Sequence, residues 1–237
     1  LHAVAVVKAG AFGILRVIYD LYGIELSVEL GVTTVLAVAA SITIIYGSLR
    51  AIAQEELKPR LAFSTISQVS YVVLGVSLFG PFGTIGALAH LLHQGLMKVT
   101  LFFCAGNYAE ELGIHRLDEM DGAGKRMPLT SLAFTVGALG MIGLPPTAGF
   151  ITKWYLGMGA IEADMYWVVA VLVASSTLNA IYFLPIVHRL WFREGPAHGK
   201  GQWPKEQSLG RLETHGWLLW PAVLTAVISI GAGLLAG

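Results

Sequence analysis

The chain has 237 residues, of which 55% are hydrophobic and only 13% are charged, and its mean hydropathy is +0.69. Ordinary soluble proteins contain about 25% charged residues, so this composition excludes a typical soluble domain and indicates a protein that lies in lipid. The formal net charge is zero, which argues against nucleic acid or a polyanion as a partner. A single cysteine, Cys104, excludes an internal disulfide and a thiolate metal cluster.

Seven apolar segments are long enough to cross a bilayer core as helices, which takes about 20 residues each. Helices are predicted because each one satisfies its backbone hydrogen bonds within its own segment. The approximate bounds are 1–22, 30–53, 61–79, 85–108, 129–161, 166–192 and 217–235. The predicted fold is therefore an all-α membrane protein with seven transmembrane helices. Because the apolar pattern begins at Leu1 without a charged leader, we expect a C-terminal fragment rather than a signal peptide.

Basic residues are distributed unevenly among the segments that connect the predicted helices. The second, fourth and sixth connections, with the adjoining helix ends, contain Lys and Arg residues from Arg50 to Arg211, whereas the first, third and fifth contain none. The positive-inside rule therefore places the even connections in the cytoplasm and the C-terminus outside. Arg16 is an exception near the outer end of the first segment, where Asp20 is placed to pair with it at i+4.

The fifth predicted segment is too long for a simple span and contains Pro145 and Pro146. Proline removes a backbone donor and clashes with the preceding turn, so we expect the helix to be discontinuous at Pro145-Pro146. Broken helices occur in lipid only where they are buried in protein or line a wet cavity, and transporters use them to present free backbone groups. The alternative is a kink that only shapes packing. The nearby Lys153 favours a functional break.

Three lysines lie inside the apolar segments, where a charge costs on the order of 3 kcal/mol. They are Lys8, Lys98 and Lys153. About ten apolar or small residues separate Lys98 from Glu110, or roughly 15 Å of helix, which places this amine in mid-membrane. Lys153 precedes Trp154 and Tyr155, so an anchor at the outer interface is the alternative to a functional role.

His90, Gln94 and Lys98 follow one another at four-residue intervals and share one helical face, with about 6 Å between neighbours. His93 lies beside this row. The gaps are too long for direct proton transfer, but one or two water molecules would bridge each of them. Because histidine titrates near neutral pH, the row predicts a proton relay. The alternative is that these groups only hydrogen-bond to neighbouring helices.

Two other segments carry polar faces that either orient water or hold helices together. Their residues are Ser64, Ser67, Gln68 and Tyr71 in the third segment, and Ser175, Ser176, Thr177 and Asn179 in the sixth. The apolar cores of the seven segments contain no carboxylate. We therefore expect the opposite charge for a buried lysine in the missing half or on another subunit.

Five motifs in the same order resemble the antiporter-like subunits of respiratory complex I, membrane-bound hydrogenases and Mrp-type sodium/proton antiporters. They are LHAVAVVKAG at 1–10, ELKPRLAFSTISQ at 56–68, HLLHQGLMK at 90–98, GLPPTAGFITK at 143–153 and SSTLNAIYFLP at 175–185. The resemblance implies a fold of two inverted five-helix repeats, of which this chain would hold helices eight to fourteen. Residues 1–22 would then be a linking helix, 30–192 the second repeat and 217–235 the final helix. Family topology also leaves the C-terminus outside.

The resemblance also implies a proton pathway in which Lys8 links two half-channels, Lys98 follows and Lys153 is the terminal proton-bearing lysine. A histidine is frequent in the family at the position of Gln94, so it is left open whether His90, His93 or neither of them faces the water chain. The auxiliary candidates on the same motifs are Lys58, Ser64, Ser67, Gln68 and His2.

The predicted function is proton translocation through a half-channel of lysine, histidine and water. The chain would be a membrane subunit of an Mrp-type cation/proton antiporter or of an NADH-quinone oxidoreductase-like complex, and residues 178–185 favour the D-type subunit of Mrp antiporters. The alternatives are a stand-alone transporter of a small solute and a membrane scaffold without transport. Expected partners are other membrane subunits, the bilayer and protons, with Na⁺ left open. No cofactor, metal or nucleic acid is expected, and the expected location is the prokaryotic cytoplasmic membrane.

Overall fold

The computed structural model describes residues 6–195, 203 and 213–235, and in these ranges the chain is helical without β-strands, apart from an isolated bridge between Glu56 and Arg116. His2 lies outside the described residues. The helices are α1 (Val7–Arg16), α2 (Ile24–Glu29), α3 (Val32–Ile52), α4 (Leu57–Ser77), α5 (Pro81–Glu111), α6 (Ala123–Arg126), α7 (Pro128–Ile142), α8 (Ala148–Glu162), α9 (Tyr166–Phe192) and α10 (Gly216–Leu235).

Among the described helices, α3, α5, α9 and α10 are long and apolar enough to cross a membrane by length and composition. The prediction of an all-α membrane protein is confirmed, whereas the count of seven crossings is not. The fifth predicted segment is divided between α7 and α8, which have 15 residues each. The third corresponds to α4, whose polar and charged side chains lower its hydropathy, and the first corresponds to α1, of 10 residues, with a π-helical extension.

The junction after α1 is irregular. The helix continues directly into a π-helical segment, Val17–Tyr22, and Gly23 with φ +75° then begins the turn to α2. Arg16 and Asp20 form the predicted i,i+4 ion pair across this junction, with 2.5 Å between Nε and Oδ2. Both side chains are exposed, so the pair contributes little to stability.

The break in the fifth predicted segment occurs at the two prolines, because α7 ends at Ile142 and α8 begins at Ala148. Gly143 ends α7 with φ +89°, in the left-handed region that favours glycine. The segment is therefore two short helices joined by an irregular junction, and the backbone groups at the helix ends are free to bind other groups.

Helix α10 packs directly on this break. A Cβ atom on Gly233 of α10 would lie 2.6 Å from the backbone nitrogen of Ala148 and equally close to the carbonyl carbon of Thr147. Only a residue without a side chain allows this approach. Helix α5 occupies the centre of the bundle, where it packs against α4, α7, α8 and α10. The polar residues described next are arranged around α5.

Candidate functional site

Lys98 is fully buried in the middle of α5. Its Nζ donates hydrogen bonds to the backbone oxygen of Leu61, at 3.0 Å, and to Ser64 Oγ. The same nitrogen lies 5.9 Å from the ring centroid of Phe183 on α9. A buried amine needs acceptors and a polarizable surface around it, and α4 and α9 supply them to Lys98.

Lys153 lies on α8 just after the break and turns back toward the end of α7. Its Nζ donates hydrogen bonds to Met141 O at 3.1 Å, Ile142 O at 2.7 Å and Ser176 Oγ at 2.9 Å. The last carbonyls of a helix lack intrahelical partners, and the negative end of the helix dipole attracts cations. The neighbouring Trp154 is 61% exposed, so the two side chains point in different directions.

Gly143 makes room for Lys153 at the end of α7. A Cβ atom at this position would lie 2.8 Å from Lys153 Cδ and 3.2 Å from Nζ. The glycine therefore has two functions: it adopts a positive φ, and it leaves space for the lysine side chain. The break thus accommodates Lys153 in two ways. Gly143 leaves space for its side chain, and the end of α7 exposes two carbonyl oxygens that accept its hydrogen bonds.

Lys8 is half-buried on α1, and its Nζ occupies the space that a Cβ atom on Gly95 would fill. The missing side chain at this position lets the ammonium approach the backbone of α5 closely. Gly95 follows Gln94 and precedes Lys98 by three residues. Helix α1 therefore brings a third lysine against the part of α5 that carries the predicted relay.

His90 is fully buried and lies close to the break. Its Nδ1 is 3.1 Å from Thr152 Oγ1, and its ring centroid is 5.1 Å from that of Tyr71. The Tyr71 ring centroid is also 5.7 Å from Lys153 Nζ, so Tyr71 lies beside both groups. His93 is only half-buried. Of the two imidazoles, it is His90 that lies among the residues around Lys153.

Several buried polar atoms on α4, α5 and α9 have no hydrogen-bond partner in the described protein. They are both side-chain amide atoms of Gln68, Tyr71 Oη, His90 Nε2, His93 Nδ1, Gln94 Nε2 and Ser175 Oγ. We refer to these six residues as the polar cluster. Leaving such a group unpaired costs about 1–3 kcal/mol, and ordered water normally satisfies buried polar groups of this kind.

The polar cluster lies between the fully buried Lys98 and the half-buried Lys153. Gln94 lies one helical turn before Lys98, and Ser175 immediately precedes Ser176, to which Lys153 donates a hydrogen bond. His90 and Tyr71 lie close to the break, as described above. The cluster therefore leads from Lys98 to Lys153 through side chains that can both donate and accept hydrogen bonds.

The other predicted site residues have different surroundings. Ser67 Oγ donates a hydrogen bond to Ile44 O at 2.9 Å and lies 2.9 Å from Ser48 Oγ, so it connects α3 and α4. Ser64 contacts Lys98, whereas Lys58 is exposed in the first turn of α4. Of the candidates on α4, Ser64 and Gln68 thus lie with the buried lysine and the polar cluster, while Ser67 contributes to packing.

Four further residues support the site, and only one of them, Asn179, lies on a predicted polar face. Asn179 Nδ2 donates a hydrogen bond to Met141 O at 2.9 Å, and Tyr182 Oη donates one to Asn179 Oδ1 at 2.6 Å. Met141 O is also an acceptor for Lys153, so α9 and Lys153 share the end of α7. Thr152 and Arg60 complete the group. Their only sequence signal is that Thr152 adjoins Lys153 and that Arg60 follows Lys58 in a matched motif.

Backbone carbonyl and hydroxyl oxygens, rather than carboxylates, accept the hydrogen bonds of Lys98 and Lys153. In the part of the chain that the structure describes, neither Lys8, Lys98 nor Lys153 forms an ion pair with Asp or Glu. The described residues also contain no group of three or more His, Cys, Asp and Glu side chains placed to hold a metal ion. The arrangement is suited to holding and passing protons through side chains and water.

Comparison with known proteins identifies the family. A family model described as "NADH:quinone oxidoreductase/Mrp antiporter, TM" matches residues 1–179. NADH-quinone oxidoreductase subunit N of Desulforudis audaxviator is 38% identical over 236 residues, which cover 98% of this chain and 47% of that protein. The chain thus spans about half the length of this curated relative.

Two solved membrane complexes contain a chain with the same fold. A chain of the Mrp complex from Dietzia sp. superposes with a TM-score of 0.81 at 27% identity, covering 96% of this chain and 48% of that one. A chain of respiratory complex I from Thermus thermophilus superposes with a TM-score of 0.79 at 26% identity, covering 97% of this chain and 46% of that one. The protein is therefore an integral membrane protein of the NADH:quinone oxidoreductase/Mrp antiporter transmembrane family.

Proposed function

We propose that the chain forms a proton half-channel in a multisubunit membrane complex, in which protons pass from Lys8 and Lys98 through the polar cluster to Lys153. The observation that carries the proposal is the set of buried, unpartnered polar atoms between the fully buried Lys98 and the half-buried Lys153. A scaffold would gain stability by replacing such groups with apolar ones. Membership of a family of membrane-complex subunits also supports a transport function.

The geometry around His90 supports a route for the relay. Nε2 is buried without a protein partner and Nδ1 is 3.1 Å from Thr152 Oγ1. An imidazole accepts a proton at one nitrogen and releases one from the other. A proton that arrives through water at Nε2 therefore leaves from Nδ1, on the side of α8, which carries Lys153. Tyr71 lies beside both groups, with its ring centroid 5.1 Å from that of His90 and 5.7 Å from Lys153 Nζ, and we expect water to bridge from His90 to Lys153.

The proposal includes the finer architecture expected from the sequence. The chain would cross the membrane seven times, with α7 and α8 together forming one broken crossing. Residues 1–22 would link two half-channels, 30–192 would form a five-helix repeat and 217–235 a final helix. The basic residues of the even connections support a C-terminus outside a prokaryotic cytoplasmic membrane.

The main experiment measures proton translocation by the whole complex in inside-out vesicles. We expect Lys98→Ala and Lys153→Ala each to lower the initial rate by more than about tenfold, because proton transfer requires each relay group within hydrogen-bond reach. The amount of assembled complex is measured in the same vesicles. Lys125→Ala, which removes an exposed lysine on α6, is the matched control. Wild-type rates in both membrane-lysine variants would refute the half-channel.

The type of complex and the transported ions are determined separately. Purification through an affinity tag, followed by mass spectrometry, identifies the co-purifying subunits. Redox subunits indicate an oxidoreductase, in agreement with the subunit N relative, whereas several small membrane subunits indicate an Mrp antiporter with this chain as its D-type subunit. Uptake of radioactive sodium by the same vesicles determines whether Na⁺ moves as well as protons.

A further inference from the structure

A cavity of about 410 Å³ opens at the end of the bundle that the positive-inside rule assigns to the cytoplasm. It lies between the start of α4, the end of α9 and the loop after α5. Its lining residues include Ala53, Gln54, Glu55, Arg60, Arg116 and Arg189. At its rim, hydrogen bonds with Glu55 and Asp118 raise the pKa of the Arg116 guanidinium above its ordinary value.

Arg60 is only 9% exposed although it lines this cavity. Its guanidinium donates hydrogen bonds to three backbone oxygens: Ile52 O at 3.0 Å, Gln54 O at 2.7 Å and 3.1 Å, and Tyr182 O at 3.1 Å. The first two acceptors belong to the end of α3 and the loop after it, and the third belongs to α9. Arg60 therefore joins three helices across the inner end of the cavity.

Lys98 lies immediately behind this connection. The acceptor of its hydrogen bond is Leu61 O, which belongs to the residue after Arg60, and its nitrogen faces the ring of Phe183, the residue after Tyr182. On α4, Arg60 is thus followed by Leu61, which binds Lys98. On α9, Tyr182, which binds Arg60, is followed by Phe183, which faces Lys98.

We infer that Arg60 is a seal that separates Lys98 from cytoplasmic water, so that a proton on Lys98 leaves only toward Lys153. The inference rests on the proposed function, since only a proton-carrying Lys98 has to be shielded. Two properties of Arg60 suit this role. Its hydrogen bonds close the space between α3, α4 and α9, and its permanent positive charge repels an approaching hydronium ion.

Cysteine labelling tests the steric part of the seal in the whole complex. Cys104 is first replaced by Ser, which keeps a donor toward Thr130 O. Leu61→Cys then places a thiol behind Arg60, at a position that is fully buried. A membrane-impermeant maleimide is added to the cytoplasmic face, and it should label this thiol at least about tenfold faster when Arg60→Gln is also present. The loss of one charge-assisted hydrogen bond shifts the equilibrium between the closed and the open seal by about tenfold. Ala53→Cys, in the cavity wall, should react equally in both backgrounds.

Proton leak tests the electrostatic part. In proteoliposomes without turnover, Arg60→Gln should collapse an imposed pH gradient faster than the wild-type complex, and Lys98→Ala in the same protein should restore the slow rate. Arg60→Lys is a second variant in case Arg60→Gln does not assemble. Its single nitrogen cannot span all three acceptors, so labelling at position 61 should rise while the retained charge keeps the leak slower than in Arg60→Gln.

The outcomes separate the seal from the half-channel. If neither assembled variant increases labelling at position 61 or proton leak, the seal is refuted, whatever Lys98→Ala does to turnover-driven translocation. If labelling and leak rise but Lys98→Ala leaves turnover-driven translocation at the wild-type rate, the barrier at Arg60 stands and the half-channel through Lys98 is refuted.

Discussion

Gly95→Ala adds one methyl group at the place where Lys8 approaches α5. The new Cβ atom would overlap Lys8 Nζ, and an ordinary contact needs about 3.5–4.0 Å, so the ammonium has to retreat by more than about 1 Å. The atom that moves is the end of a flexible side chain, which makes the steric cost small. Alanine also favours a helix over glycine by about 1 kcal/mol. We therefore expect unchanged or slightly higher stability together with a loss of function.

The expected loss follows from geometry, because a misplacement of about 1 Å in a reacting group can lower a rate by about a hundredfold. Turnover-driven proton translocation by vesicles with the whole complex should fall by at least about tenfold, while the melting temperature of the detergent-solubilised complex should not decrease. Gly106→Ala on the same helix is the control, since a Cβ atom there meets nothing within 4 Å. Wild-type translocation by an assembled Gly95→Ala complex would show that Lys8 does not link the half-channels through this contact.

Two other substitutions distinguish relay residues from packing residues. Thr152→Val keeps the shape of the side chain but removes the hydroxyl group that contacts His90 Nδ1 at 3.1 Å. Proton translocation per assembled complex should therefore fall severalfold. An unchanged rate would exclude Thr152 from the relay. Ser67→Ala removes the hydrogen bonds that connect α4 to α3, which should lower the free energy of unfolding by about 1 kcal/mol without changing translocation. A translocation defect in assembled Ser67→Ala complexes would assign Ser67 to the pathway instead.

Features that follow from the covalent structure of proline or from the periodicity of a helix could be predicted from the sequence. The break between α7 and α8 follows from the chemistry of Pro145 and Pro146, and it was predicted at the correct place. The burial of Lys98 follows from the length of apolar helix around it. The four-residue spacing from His90 to Lys98 predicted one helical face, and the structure indeed buries His90, Gln94 and Lys98 while leaving His93 partly exposed.

Features that depend on packing could not be predicted in the same way. An arginine near a helix start normally extends to the water interface, so the inward guanidinium of Arg60 has no sequence signature. Lys98 and Lys153 donate hydrogen bonds to backbone oxygens, which every residue possesses, so these contacts have no sequence signature either. The count of seven crossings stays a prediction, because polar and charged side chains on α4 lower the hydropathy of that helix and leave it outside the four candidate spans of the described residues.

The carbonyl oxygens at the end of α7 differ from an acidic side chain in their response to pH, and this difference affects how Lys153 holds and releases a proton. A carboxylate, with an ordinary pKa of about 4, neutralises itself in acid and then releases its cation. The carbonyl oxygens of Met141 and Ile142 do not titrate in water, so their attraction for the ammonium is the same at every physiological pH. They also cannot accept the proton that they help to hold. The attraction that the end of α7 exerts on Lys153 is therefore constant, and the proton has to leave by a group other than these two carbonyl oxygens.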